Sequence, residues 1–255
     1  MKLAIYDSED ELATRGAEVA ARLVAERPDA VLALPAGRTA IALYRTLVAM
    51  TRARRLDWSR VRTFNLDEFV GVSGDAPGSF RRFTHDHLLS HVNVDPAKAE
   101  CPNGAAPDLD AECARYDAAI AAAGGLDLAI LGLGANGHIA FNEPAPSLAG
   151  PTHRVVLAEA SRIANKGWFD GDPARVPREA LTMGMGTILK AREILMIAAG
   201  DEKADAAAAM FHGGISTAVP ASLLQVHRHA TVILDRAAAA KLDRARTEET
   251  PGYTT

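Results

Sequence analysis

The sequence predicts an α/β protein in which a mostly parallel sheet is covered by helices on both faces. Three observations carry this. Short apolar runs alternate with longer stretches of helical periodicity along the chain. The runs at 30–34, 126–131 and 193–199 are continuously apolar, not alternating, as strands buried on both faces are. No low-complexity linker or repeat interrupts the succession, so 1–255 reads as one domain.

Each element follows in order. Residues 3–6 form a short strand, and 7–26 an Ala-rich helix with Asp7 or Ser8 as N-cap. The apolar strand at 30–34 ends at Pro35, and Ala36-Gly37-Arg38-Thr39 turns into a helix reaching about Met50. A strand is expected at 61–65, then a loop at 66–78 rich in Gly, Asp and Pro. Helices are expected at 79–89 and 109–123, with a core strand at 126–131. The second half continues the same alternation, with a short strand at 154–157, a helix at 161–169, a strand at 193–199, a helix at 201–211 and a last strand at 230–234. Residues 235–249 read as a solvated helix and tail, frayed after about Arg246.

Composition narrows the function. Hydrophobic residues make up 48% of the 255, enough for a large core, and charged residues 24%. The net charge of −4 does not suit a nucleic-acid binder, so an anionic ligand must be held by a few placed cations. No window approaches the roughly 18 apolar residues of a membrane span, and the N-terminus turns polar at Asp7, unlike a signal peptide. Cys101 and Cys113 make no disulfide framework, and free thiols in a reducing cytoplasm are expected. His85-Asp86-His87 looks like a metal pair, but i and i+2 on a helix face different ways, and no metal is expected.

In parallel sheets ligands bind beyond the carboxyl ends of the strands, and three post-strand segments carry unusual chemistry. Ala36-Gly37-Arg38-Thr39 offers a tight turn, free N–H groups at a helix start, a hydroxyl and a cation. It reads equally as an ordinary strand-to-helix turn. Asp67 and Glu68 are adjacent carboxylates at the end of an apolar strand. Low-dielectric walls would raise such a carboxyl towards a useful base, and the alternative is a loop cap. The segment Gly132-Leu133-Gly134-Ala135-Asn136-Gly137-His138-Ile139-Ala140-Phe141-Asn142-Glu143-Pro144 is the richest. His138 suits proton transfer near neutral pH, and Glu143 suits the charge stabilisation of an imidazole. A structural histidine is the alternative.

At these residues the sequence resembles the glucosamine-6-phosphate deaminase family of the glucosamine-6-phosphate isomerase/6-phosphogluconolactonase superfamily. The resemblance runs nearly full length. It rests on Thr63-Phe64-Asn65-Leu66-Asp67-Glu68-Phe69-Val70-Gly71 and on Gly137-His138-Ile139-Ala140-Phe141-Asn142-Glu143-Pro144, with support from Asp108-Leu109-Asp110-Ala111-Glu112-Cys113, Arg162-Ile163-Ala164-Asn165 and Val176-Pro177. It implies a Rossmann-like three-layer α/β sandwich and conversion of glucosamine 6-phosphate to fructose 6-phosphate and ammonia without a cofactor. It casts Asp67 as the base between C2 and C1, His138 as the acid/base of ring opening, and Asn136 and Glu143 as its partners. Arg162 and Lys203 become the cations for the substrate phosphate, with backbone help from Ala36, Gly37, Arg38 and Thr39. The expected partner is thus a small amino-sugar phosphate; relatives include monomers and hexamers, which leaves a homo-oligomer open.

The departures from the family pattern matter. Arg38 stands where a glycine is usual, and either contacts the phosphate or crowds the pocket. Position 136 is Asn where many members have Asp, so it orients His138 without sharing its charge. Phe69 and Phe80 replace tyrosines. Allosteric members bind an effector phosphate through Ser, Arg and Lys, where this chain has Pro146, His153 and Val155, so activation by N-acetylglucosamine 6-phosphate at that site is not expected. Alternatives are a galactosamine-6-phosphate deaminase, a 6-phosphogluconolactonase and a sugar-phosphate-binding regulator without turnover.

Overall fold

The computed structural model describes residues 1–243. In chain order its elements are β1 (Lys2–Tyr6), α1 (Glu9–Glu26), β2 (Val31–Leu34), α2 (Arg38–Arg52), β3 (Arg62–Asn65), β4 (Asp67–Phe69), α3 (Phe80–His87), β5 (Ala99–Glu100) and α4 (Leu109–Ala122). They continue with β6 (Leu128–Leu131), β7 (His153–Val156), α5 (Glu159–Asn165), β8 (Glu179–Thr182), α6 (Met185–Leu189), β9 (Glu193–Ala198), α7 (Ala204–His212) and β10 (Ala230–Asp235). Short 3₁₀ turns link several of them. Ser8 caps α1 by accepting from the Glu11 N–H at 3.2 Å.

Seven strands form one sheet in the order β1-β10-β9-β6-β2-β3-β5, parallel at every pairing. Leu32 of β2 lies between Thr63 of β3 and Leu128 of β6. The strand pleat sends alternate side chains to opposite faces. Val31 and Ala33 join one core with Phe64, Ala129 and Met196, whereas Leu32 and Leu34 join another with Leu47, Leu128 and Ile197. Burial on both faces explains why these strands read as continuous apolar runs.

A second sheet, β4-β8-β7, is antiparallel, and the sequence does not predict it. Its first strand lies inside the stretch read as a loop, since Asp67-Glu68-Phe69 lacks alternation and finds its partner in β8, more than a hundred positions away. Leu66 is the joint between the sheets. Its N–H donates to the Leu34 carbonyl at 3.1 Å in the main sheet, and its carbonyl accepts from Met183 beside β8 at 2.7 Å. A third apolar cluster, including Phe69, Phe80, Phe141 and Leu157, fills the space beside this joint.

Other boundaries differ in detail. The helix expected at 161–169 starts earlier, at Glu159, and closes as a 3₁₀ turn before Asp170 and Gly171, both at positive φ. The helix expected from 201 begins with a 3₁₀ turn at Asp201–Lys203. Residues 236–241 form turns, not a helix, and bury Ala238. The predicted frayed tail after Arg246 lies outside the described residues.

Candidate active site

The strand order reverses between β2 and β6: from β2 it runs outward through β3 and β5, from β6 through β9, β10 and β1. Loops leaving the carboxyl ends of such neighbours diverge and open a crevice. A cleft of about 550 Å³ lies there, and its walls include Gly37, Arg38, Asp67, His138 and Lys203.

Asp67 reaches the cleft because Leu66 turns the chain out of the main sheet. It is 6% exposed, and its carboxylate accepts no hydrogen bond among the described residues. Burial, with the charge of Glu68 next to it, pushes its carboxyl up to about 8. Glu68 has the opposite surroundings. It accepts from the Ser79 hydroxyl at 2.6 Å and from the N–H groups of Phe69 (2.9 Å), Phe80 (3.0 Å) and Arg81 (3.0 Å). Burial raises its carboxyl and these four donors pull it back. Glu68 thus fastens β4 to the start of α3, and Asp67 is left to the cleft.

The segment after β6 builds a histidine–carboxylate pair. His138 Nδ1 stands 3.3 Å from Glu143 Oε2. Burial raises the Glu143 carboxyl, but His138, Ser161 and Asn136 outweigh it and hold it at about 2, so it stays ionised through the neutral range. Asn136 Nδ2 donates to Glu143 Oε2 at 2.7 Å, and Asn136 Oδ1 accepts from the His138 backbone N–H at 3.2 Å. Asn136 therefore touches the carboxylate and the backbone of His138, not its ring.

Two positions here escape sequence reasoning. Ser161 is buried, donates to Glu143 Oε1 and lies 3.3 Å from His138 Nδ1, so it fixes both members of the pair. In the sequence only the adjacent Arg162 stands out. Gly134 makes room for the imidazole: a Cβ there would fall 2.4 Å from the His138 ring. The Gly-x-Gly is visible in the sequence, but what lies above it is not.

Gly37, at φ +135°, caps α2 without a side-chain bond, and the start of that helix lines the cleft together with Ala36 and Thr39. Lys203 lines the cleft, half-buried, its side chain with no hydrogen bond or ion pair among the described residues, and burial lowers its ammonium. Arg38 also lines it and donates to Glu202 Oε1 at 2.7 Å.

Arg162, the other cation expected at the phosphate, makes its hydrogen bonds away from the cleft. Its guanidinium donates to the carbonyls of Pro173 at 2.7 Å and Val176 at 3.3 Å, and it is not part of the cleft wall. Each helical residue turns about 100° from the last, so when Ser161, Ala164 and Asn165 face the cleft, Arg162 faces the 173–176 loop. These two bonds tie α5 to the chain that follows it. That chain brings Trp168 to the cleft wall, edge-on to Phe83 at 5.2 Å, and Phe169 against Phe69 at 5.3 Å.

Residues 7–233 match the model of the glucosamine-6-phosphate isomerases/6-phosphogluconolactonase family, and the chain belongs to that family. Within it, the chain is 44% identical over 246 residues to glucosamine-6-phosphate deaminase 2 of Bacillus subtilis (strain 168), covering 96% of this chain and 99% of that one. It superposes on a solved monomeric glucosamine-6-phosphate deaminase with a TM-score of 0.92 at 40% identity, over 95% of this chain and all (100%) of the other. A 6-phosphogluconolactonase from Trypanosoma cruzi, at 20% identity and a TM-score of 0.73 over 95% and 97% of the two chains, shares the fold.

Proposed function

We propose that this chain, as a single sugar-phosphate isomerase/deaminase domain over 1–255, converts glucosamine 6-phosphate to fructose 6-phosphate and ammonia. One observation carries the reading: a buried carboxylate free of side-chain hydrogen bonds among the described residues, Asp67, shares a cleft with His138, which is backed by Glu143, and with the cations Arg38 and Lys203. A base, a ring-opening acid and a phosphate anchor are what the conversion requires. The extent and level of identity to the deaminases support it.

In this scheme the phosphate docks at the α2 N-terminus, with Lys203 and Arg38 supplying charge. His138, beside the ionised Glu143, protonates the ring oxygen and takes the proton of the C1 hydroxyl, opening the pyranose. Asp67 removes the C2 proton and returns it at C1, which leaves an imine at C2. Water adds to the imine and ammonia leaves. The substrate's own amine and carbonyl act as electron sink, so the scheme calls on no metal or organic cofactor. The cytoplasm is the proposed compartment; among the described residues no helix is long and apolar enough to cross a membrane.

The test is ammonia release from glucosamine 6-phosphate and from galactosamine 6-phosphate, with wild type and Asp67→Asn. Wild type releases ammonia from the glucosamine ester, and the variant is slower by ~10²–10⁴-fold, the usual worth of a placed general base. Full activity in the variant removes Asp67 as the base, and preference for the galactosamine ester reassigns the substrate.

A further inference from the structure

Arg38 and Glu202 meet from opposite sides of the cleft mouth, one at the start of α2 and the other in the 3₁₀ turn before α7. The contact from Arg38 Nη2 to Glu202 Oε1, at 2.7 Å, is the only side-chain hydrogen bond Arg38 makes among the described residues. Its side chain is otherwise 68% exposed. Among the described residues no other polar contact holds so long a side chain at the cleft.

Glu202 is itself held by local shape. A Cβ on Gly200 would lie 2.3 Å from Glu202 Oε2, so the carboxylate folds back onto the bare Cα of that residue. The same turn delivers Lys203, which makes no ion pair among the described residues, to the cleft wall. Two cations and one anion thus sit together, and the anion is engaged through a single guanidinium nitrogen. An arginine has five N–H donors in a planar fork, enough to keep a carboxylate on one edge and take a phosphate on another.

We infer that Glu202 is a positioning residue: it holds Arg38 at the mouth of the cleft so that the remaining guanidinium donors meet the substrate's phosphate monoester. The inference rests on the proposed phosphate end of the cleft and adds to it the residue that orders its arginine. Glu202 does not touch the reacting atoms, and its effect passes through Arg38.

The experiment is a double-mutant cycle on the full chain, read in two ways. Calorimetric binding of inorganic phosphate needs no turnover, and the split between KM and kcat reads the same contact in the reaction. Glu202→Ala weakens phosphate binding and raises KM by about two- to five-fold, the upper range of one exposed ion pair, and moves KM more than kcat. Glu202→Gln, which keeps an acceptor of the same reach, recovers part of the loss. In an Arg38→Ala background Glu202→Ala causes no further weakening, because the arginine it served is gone. Phosphate binding in Glu202→Ala equal to or tighter than wild type overturns the inference. So does equal weakening in the two backgrounds. A chain that binds phosphate in this pattern but releases no ammonia would sink the proposed reaction and leave the role of Glu202 standing.

Discussion

Asp67 and Glu68 are neighbours with the same chemistry and different fates. Glu68 is saturated with donors, and Asp67 is buried with none among the described residues. Leaving a carboxylate in that state costs stability, and the sign follows from its raised value. With the folded group near 8 and the unfolded one near its ordinary value, the native state holds the extra proton between about pH 4 and 8. Stability therefore falls as pH rises through that window. Asp67→Asn lacks this penalty. It should be more stable than wild type at pH 8.5, by something on the order of 2–4 kcal/mol, and match it near pH 4. A scan of Tm against pH checks this, and parallel curves would mean that Asp67 is better solvated than its burial implies. Activity of wild type should climb with pH towards 8 as Asp67 ionises. Gly134→Ala tests the neighbouring half of the site. Its methyl group would strike the His138 ring and pull the ring from Glu143, so activity falls at least ~10-fold while the protein still unfolds cooperatively.

At the scale of elements, the decisive piece is β4, three residues long and absent from the sequence reading. It projects Asp67 into the cleft because Leu66 joins two sheets and Glu68 ties the strand to α3. Glu68→Gln removes the charge that helps raise Asp67 and weakens the tie. The pH–rate profile of that variant should move to lower pH, with a stability loss of roughly 1–3 kcal/mol. An unmoved profile would assign the whole shift to burial. Helix α5 shows the same dependence on packing. Arg162 and Ser161 adjoin in sequence, yet one turns to the loop at 173–176 and the other to the His138–Glu143 pair. A single residue of helical phase decides which of them meets that pair.

At the scale of the molecule, the site exists because the strand order reverses between β2 and β6, and the loops after those strands part. The effector surface expected from allosteric relatives would involve β7, the outer strand of the small sheet, where this chain presents His153 and Val155, with Pro146 in the loop before it. Rate against substrate concentration should be hyperbolic and insensitive to N-acetylglucosamine 6-phosphate. A sigmoidal curve that this ester straightens would contradict that reading.

By itself the sequence determined the parallel sheet with helices on both faces and the placement of chemically capable residues just after strands, and its motifs, through the family they resemble, singled out Asp67, His138 and Glu143. Those features are local: apolar runs, helical periodicity and motif spacing are written in neighbouring residues. Only the tertiary structure decided which adjacent carboxylate is free, that Ser161 completes the His138–Glu143 pair, that Arg162 is turned away, and that Glu202 meets Arg38. Each of these depends on a partner far along the chain, such as Thr182 opposite Asp67 or Glu202 opposite Arg38, and on the angle at which a side chain leaves its element. Burial and partners set the protonation and direction of a group, and neither is a property of the residue alone.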